Sequence, residues 1–141
     1  MGTSASGLDA SMPPRQRLTM RALALFAALF GAATVAAGGR VLFGGAPAGH
    51  AVGFVLWFNF LAGFVYLVDA WGLWQARRWA ALLALAITLA TGLVFMAFGL
   101  HVVAGGAFES RTVFAMTLRT LAWGAIAGTS AWLLSRRSEP H

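Results

Sequence analysis

The stretch AVGFVLWFNFLAGFVYLVDAWGLWQARRWAALLALAITLATGLVFMAFGL, residues 51–100, decides the fold. It consists of two apolar runs, 51–74 and 79–100, interrupted only by QARR at 75–78. A helix rising 1.5 Å per residue crosses the hydrocarbon core of a bilayer in about 20 residues. Each run is therefore long enough to span, and so short a link makes the two an antiparallel hairpin.

Two more runs extend the pattern outward. Residues 22–39 carry only Thr34 as a polar side chain, and 112–134 carry several hydroxyls together with Arg119. The expected architecture is all-α: an integral membrane four-helix bundle over 18–134, preceded by a disordered tail at 1–17 that ends near Pro13-Pro14 and followed by a polar tail at 135–141. Composition agrees, because 60% hydrophobic and 10% charged residues in a 141-residue chain cannot coat a water-facing surface. The absence of Cys excludes disulfides, thiolate metal sites and thiol redox chemistry.

All ten basic residues are Arg, a usage that GC-rich coding also produces. They flank apolar runs instead of forming a stripe open to phosphates, which argues for the lipid bilayer as partner and against nucleic acid. Arg15, Arg17 and Arg21 precede the first run, Arg77 and Arg78 fill the 75–78 link, and Arg136 and Arg137 follow the last. With four spans these lie on one side, which the positive-inside rule makes cytoplasmic for both termini of a multi-pass bacterial plasma (inner) membrane protein. Trp71, Trp74, Trp79 and Trp132 form an aromatic belt on that face. A competing reading takes the first run as a signal peptide cleaved after Val35-Ala36-Ala37, which leaves the other helices in the same orientation.

Lipid tails are as apolar as leucine, so close backbone approach and polar contacts must hold the helices together. Ala24, Ala28, Ala32 and Ala36 form a smooth stripe on the first helix, Gly124 and Gly128 a small-residue pair on the fourth, and Gly92 and Gly99 a similar one on the third. No heptad pattern stands out.

Ionisable groups at depth are expensive and mark function by default. Arg119 lies eight residues beyond Arg111, about 12 Å into the span. Asn59 is eight residues into the helix entering from the same side and shares that depth, so the two are in reach of each other. Arg119 also shares a stripe with Glu109, Thr112, Met116 and Trp123. Asp69, near the opposite face, is in reach of Arg21 and reads as half of an intramembrane ion pair or as a hydrogen-bonded group inside the bundle. Used with Arg119, it is instead the basis of a transport reading.

The outer face gathers His50, His101, Glu109, Arg111 and Arg40 above Asn59 and Arg119. Asn59, His101, Glu109, Arg111, Met116 and Arg119 form the expected pocket for a partner or for a small anionic or quinone-like ligand. His50 and His101, at two helix ends, are candidate haem or copper ligands, while Met96 and Met116 read as packing residues. Ser110, His101 and Glu109 supply the residue types of a hydrolase triad but lack a strand-turn-helix elbow. No motif identifies a cofactor or a catalytic residue.

Three stretches, FVLWFNFLAGFVY (54–66), ESRTVFAMTLR (109–119) and GGRVLFG (38–44), resemble small uncharacterised bacterial four-helix inner-membrane proteins, and the layout is similar to that of the DoxX-like group. The resemblance implies an accessory role near respiratory or redox proteins, and it matches no functional motif residue by residue. The leading expectation is a non-enzymatic accessory or assembly subunit, with another membrane protein or a respiratory complex as its partner. A small transporter or channel using Asp69 and Arg119 comes second, and a haem or copper redox protein using His50 and His101 third.

Overall fold

The four prolines, Pro13, Pro14, Pro47 and Pro140, stand outside the apolar runs. Within the runs nothing interrupts the intrahelical hydrogen bonds that a backbone in lipid must make. A computed structural model describes residues 12–47 and 49–136. They form α1 Pro14–Leu42, α2 Gly53–Trp74, α3 Arg78–Val103 and α4 Ser110–Ser135, with no strand among the described residues.

The helices contain 29, 22, 26 and 26 residues, about 33 to 44 Å in length. Helix α1 begins eight residues before the apolar run at 22, which corrects the expected tail at 1–17. Pro14 sits in the first turn, where its preset φ suits the helix and its missing N–H is not needed, and the Arg17 N–H donates to the Pro13 carbonyl at 3.1 Å. Residues 1–11 and 137–141, the remainder of the two expected tails, lie outside the described residues.

Helices α1, α2 and α3 are each long and apolar enough to cross a membrane. Three of the four expected spans meet that standard; helix α4 equals α3 in length but falls outside the set. It carries Arg111, Arg119, four Thr and three Ser. Several of the hydroxyls are satisfied within the helix: Thr117, Thr120 and Ser130 donate to the carbonyls of Val113, Met116 and Ile126 at 2.9, 2.8 and 2.6 Å.

The α2–α3 turn closes without glycine. Ala76 takes φ +52° as the left-handed residue of a helix C-terminal motif, with the Arg77 N–H bonded to the Gly72 carbonyl and the Ala76 N–H to that of Leu73, both at 3.0 Å. The end of α3 repeats the motif with Gly105 at φ +88° and the Gly106 N–H on the His101 carbonyl at 2.9 Å. A side chain in the left-handed region costs about 1 kcal/mol, partly offset here by the buried methyl. Ala76→Gly is expected to stabilise the protein by about 0.5 kcal/mol, read as a rise in the unfolding midpoint in mild detergent. A fall would refute the strain.

Helices α1 and α2 form one intimate pair and α3 and α4 the other, α2 and α3 pack more loosely, and α1 and α4 scarcely meet. The buried positions recur every three or four residues: Met20, Ala24, Ala27, Gly31, Thr34 and Gly38 on α1; Ala62, Tyr66, Asp69 and Leu73 on α2; Ala80, Ala84 and Ile87 on α3; Met116, Arg119, Trp123, Ile126 and Ser130 on α4. This is the inner seam of a helical bundle, built largely from small side chains on α1 and α3. Leu29, Leu82, Leu89, Leu93 and Leu121 are exposed, as a lipid-facing surface requires.

The closest backbone approach lies between α1 and α2. A Cβ on Gly63 would stand 2.7 Å from Val35 Cγ2 and 3.2 Å from the Gly31 carbonyl oxygen, and one on Gly38 would stand 3.0 Å from Phe60 Cβ. The glycine pairs expected to mediate packing do less. Gly92, Gly99 and Gly128 have nothing within 4 Å of an added Cβ, and Gly124 meets only Thr88 at 3.8 Å. On α1, Ala32 and Ala36 are exposed, because the inner stripe follows 24, 27, 31 and 34 instead of every fourth residue.

Candidate functional site

The interior stripe of α4 carries a cation. Arg119 is 8% exposed, and its guanidinium reaches Thr34 Oγ1 at 3.5 Å and Met116 Sδ at 3.7 Å and lies 5.6 Å from the Phe30 ring centroid. Its Nε has no hydrogen-bond partner. Behind it, Phe30 stands 5.9 Å from Tyr66, and Tyr66 4.5 Å from Trp123. The two helix pairs are therefore joined across the bundle by an aromatic row with Arg119 at its head. The contacts made to this cation are a hydroxyl, a thioether and a ring face, none of them an anion.

Arg119 lines a cavity of about 460 Å³ at the end of the bundle where α1 gives way to α2 and α3 to α4. Asn59, Glu109 and Arg111 line it too, as expected, and so do Thr34 and Arg40 of α1. Three arginines face one glutamate, a net charge of +2. Glu109 is engaged elsewhere: its Oε1 accepts the His50 N–H at 3.1 Å. That bond needs close approach of the chain at Gly49, whose φ is +57° and whose Cβ, if present, would stand 2.7 Å from Oε1. Asn59 and Arg119 share the cavity, but Asn59 Oδ1 is buried without a hydrogen-bond partner, so the contact allowed by their depth does not include a bond to that oxygen.

His101 and Met116, expected in the same pocket, lie outside its lining. The His101 ring packs on Gly106, stands edge-on to Phe54 at 6.5 Å and places Nε2 3.3 Å from the Ala107 carbonyl oxygen, which ties down the α3–α4 loop. Met116 is buried with Val55 and Phe98. It supports Arg119 through its sulfur. Among the described residues no group of three or more His, Cys, Asp or Glu is placed to hold a metal.

Asp69 is 0% exposed, and neither carboxyl oxygen has a hydrogen-bond partner, so the expected pair with Arg21 is not formed. The reason is rotational. Asp69 lies on the inner stripe of α2, whereas the Arg21 guanidinium stands over the Trp74 ring at 5.1 Å. Tyr66 Oη, Thr91 Oγ1 and Trp123 Nε1 are likewise buried without hydrogen-bond partners.

Thr34 and Phe30 are contacts of Arg119 that the sequence did not point to as such. Thr34 is the single polar side chain of the first apolar run, a signal that pointed to it without a partner.

The chain matches no known protein family, no curated protein and no solved structure.

Proposed function

We propose that this chain is a multi-pass protein of the bacterial plasma membrane, with both termini cytoplasmic, that serves as an accessory or assembly subunit and binds a small anionic ligand in the Arg40–Arg111–Arg119 cavity. The observation that carries this reading is the buried Arg119 guanidinium, which lacks an anionic partner in a cavity of net charge +2. The distribution of Arg supports the orientation. A place beside respiratory or redox proteins is part of the proposal and rests on the sequence resemblance alone.

Hydrogen bonds to a charged group contribute about 1.5 to 3 kcal/mol, which corresponds to roughly tenfold or more in affinity. Arg119→Gln is expected to lower retention of a co-purifying anion at least tenfold with helix content unchanged, read by native mass spectrometry and circular dichroism. Wild-type protein from native membranes that carries neither an anion nor a partner would sink the proposal.

A second reading, a small transporter or channel, is favoured by the unpartnered polar atoms of Asn59, Arg119, Tyr66, Thr91, Trp123 and Asp69 in the bundle interior. Proteoliposomes would then show a proton flux that Asp69→Asn abolishes. Undiminished flux in that variant removes Asp69 from the pathway.

A further inference from the structure

The arginine cavity at the end of the bundle reaches down between two helices. Its walls run down α1 through Val41, Ala37 and Thr34 and down α4 through Thr112, Ala115 and Arg119. Each set is spaced by three or four residues and so forms one face of its helix. These are the two helices that scarcely meet. The cavity therefore extends along a lateral seam whose lips are small, with Ala37 exposed on α1 and Ala115 half-buried on α4.

Charge stands at both ends of this seam. Arg40 and Arg111 are exposed at its mouth, and Arg119 enters from below. Helical side chains lean toward the helix N-terminus, and the contact of Arg119 with Met116, one turn nearer that terminus, shows this lean. Guanidinium groups bind phosphate through paired, charge-assisted hydrogen bonds. The N-terminus of the 26-residue α4, which has no side-chain cap, adds positive potential at the same place. Between these charges the lining is Ala37, Val41, Leu56 and Ala115, apolar surface that an inorganic anion would leave unfilled in about 460 Å³.

We infer that the cavity holds the phosphate of an anionic membrane lipid, with the lipid's apolar chains leaving through the seam between α1 and α4. This rests on the reading of the cavity as an anion site and adds the ligand class and its route of entry. A net charge of +2 selects a headgroup of net negative charge over a zwitterionic one.

The test uses the full chain, delipidated in an uncharged detergent and titrated separately with phosphatidylglycerol, phosphatidylcholine and inorganic phosphate under native mass spectrometry. Phosphatidylglycerol should bind at least tenfold more tightly than either of the others, and Arg119→Gln should remove most of that preference. Ala37→Trp, which places a ring across the seam, should weaken lipid binding at least tenfold and phosphate binding much less. Ala115→Leu is the milder obstruction should the tryptophan variant lose helix content. Equal affinity for the two lipids overturns the inference, as does lipid binding indifferent to both seam variants. Inorganic phosphate binding as tightly as phosphatidylglycerol also overturns it, while leaving the anion site standing. If neither phosphatidylglycerol nor phosphate binds, the anion-site reading itself fails.

Discussion

Gly63→Leu is expected to abolish the folded bundle. The Cβ position at residue 63 meets Val35 Cγ2 at 2.7 Å, the Val35 backbone nitrogen at 3.1 Å and the Gly31 carbonyl oxygen at 3.2 Å. Two of the three are backbone, so no rotamer change on α1 makes room, and the added side chain must push α1 away from α2. Overpacking a core typically costs about 1 to 3 kcal/mol where side chains yield. Here the most intimate helix pair in the molecule must separate, and the cost exceeds that range. In mild detergent the variant should lose its monodisperse elution peak and its cooperative thermal transition. Gly128→Leu is the contrasting control, because an added Cβ there meets nothing within 4 Å and the change gains up to about 1 kcal/mol of helix propensity. A Gly63→Leu protein that melts like wild type would show that the glycine contact does not hold α1 to α2.

Asp69→Leu is expected to act in the opposite direction, raising stability by about 1 to 4 kcal/mol. The carboxyl is fully buried and neither oxygen has a hydrogen-bond partner. Replacing such a group with an apolar side chain of the same branched skeleton removes a desolvation penalty and breaks no bond, and the gain is reduced by whatever the larger methyl groups cost in packing. The unfolding midpoint should rise by several degrees. A fall instead would mean that Asp69 holds a partner in the membrane, a water or an ion, that stabilises the native state. A group kept at such a cost is the kind that function retains, and the proteoliposome flux of Asp69→Asn addresses that role.

Long apolar runs, short links and the absence of interior prolines made the helices legible in the sequence, and the residues at depth were legible from their distance to the nearest charged flank. Rotation of each helix about its axis was not legible. In a soluble bundle the polar face marks the outside, but here Leu29 and Leu89 are exposed while Ala27 and Ile87 face the core, and both sets are apolar. The same ambiguity made Gly124 and Gly128 as attractive as Gly31 and Gly63, and it pointed Asp69 toward Arg21 when the helix faces keep them apart. Arg119 was legible because its spacing from Met116 and Trp123 put all three on one stripe, and that stripe is the inner face of α4. Thr34 could not be joined to it, since 85 residues separate the two and only packing brings them within 3.5 Å.

The low hydropathy of α4 bears on how the chain is made. A helix with an arginine near mid-depth partitions poorly from the translocon, at about 2.5 to 3.5 kcal/mol for that residue alone. The groups that receive this arginine, Phe30 and Thr34, belong to α1 and leave the ribosome long before α4 does. On the reading of α4 as a membrane-entering helix, α1 would offer it a surface already in place, on which Phe30 and Thr34 receive the arginine.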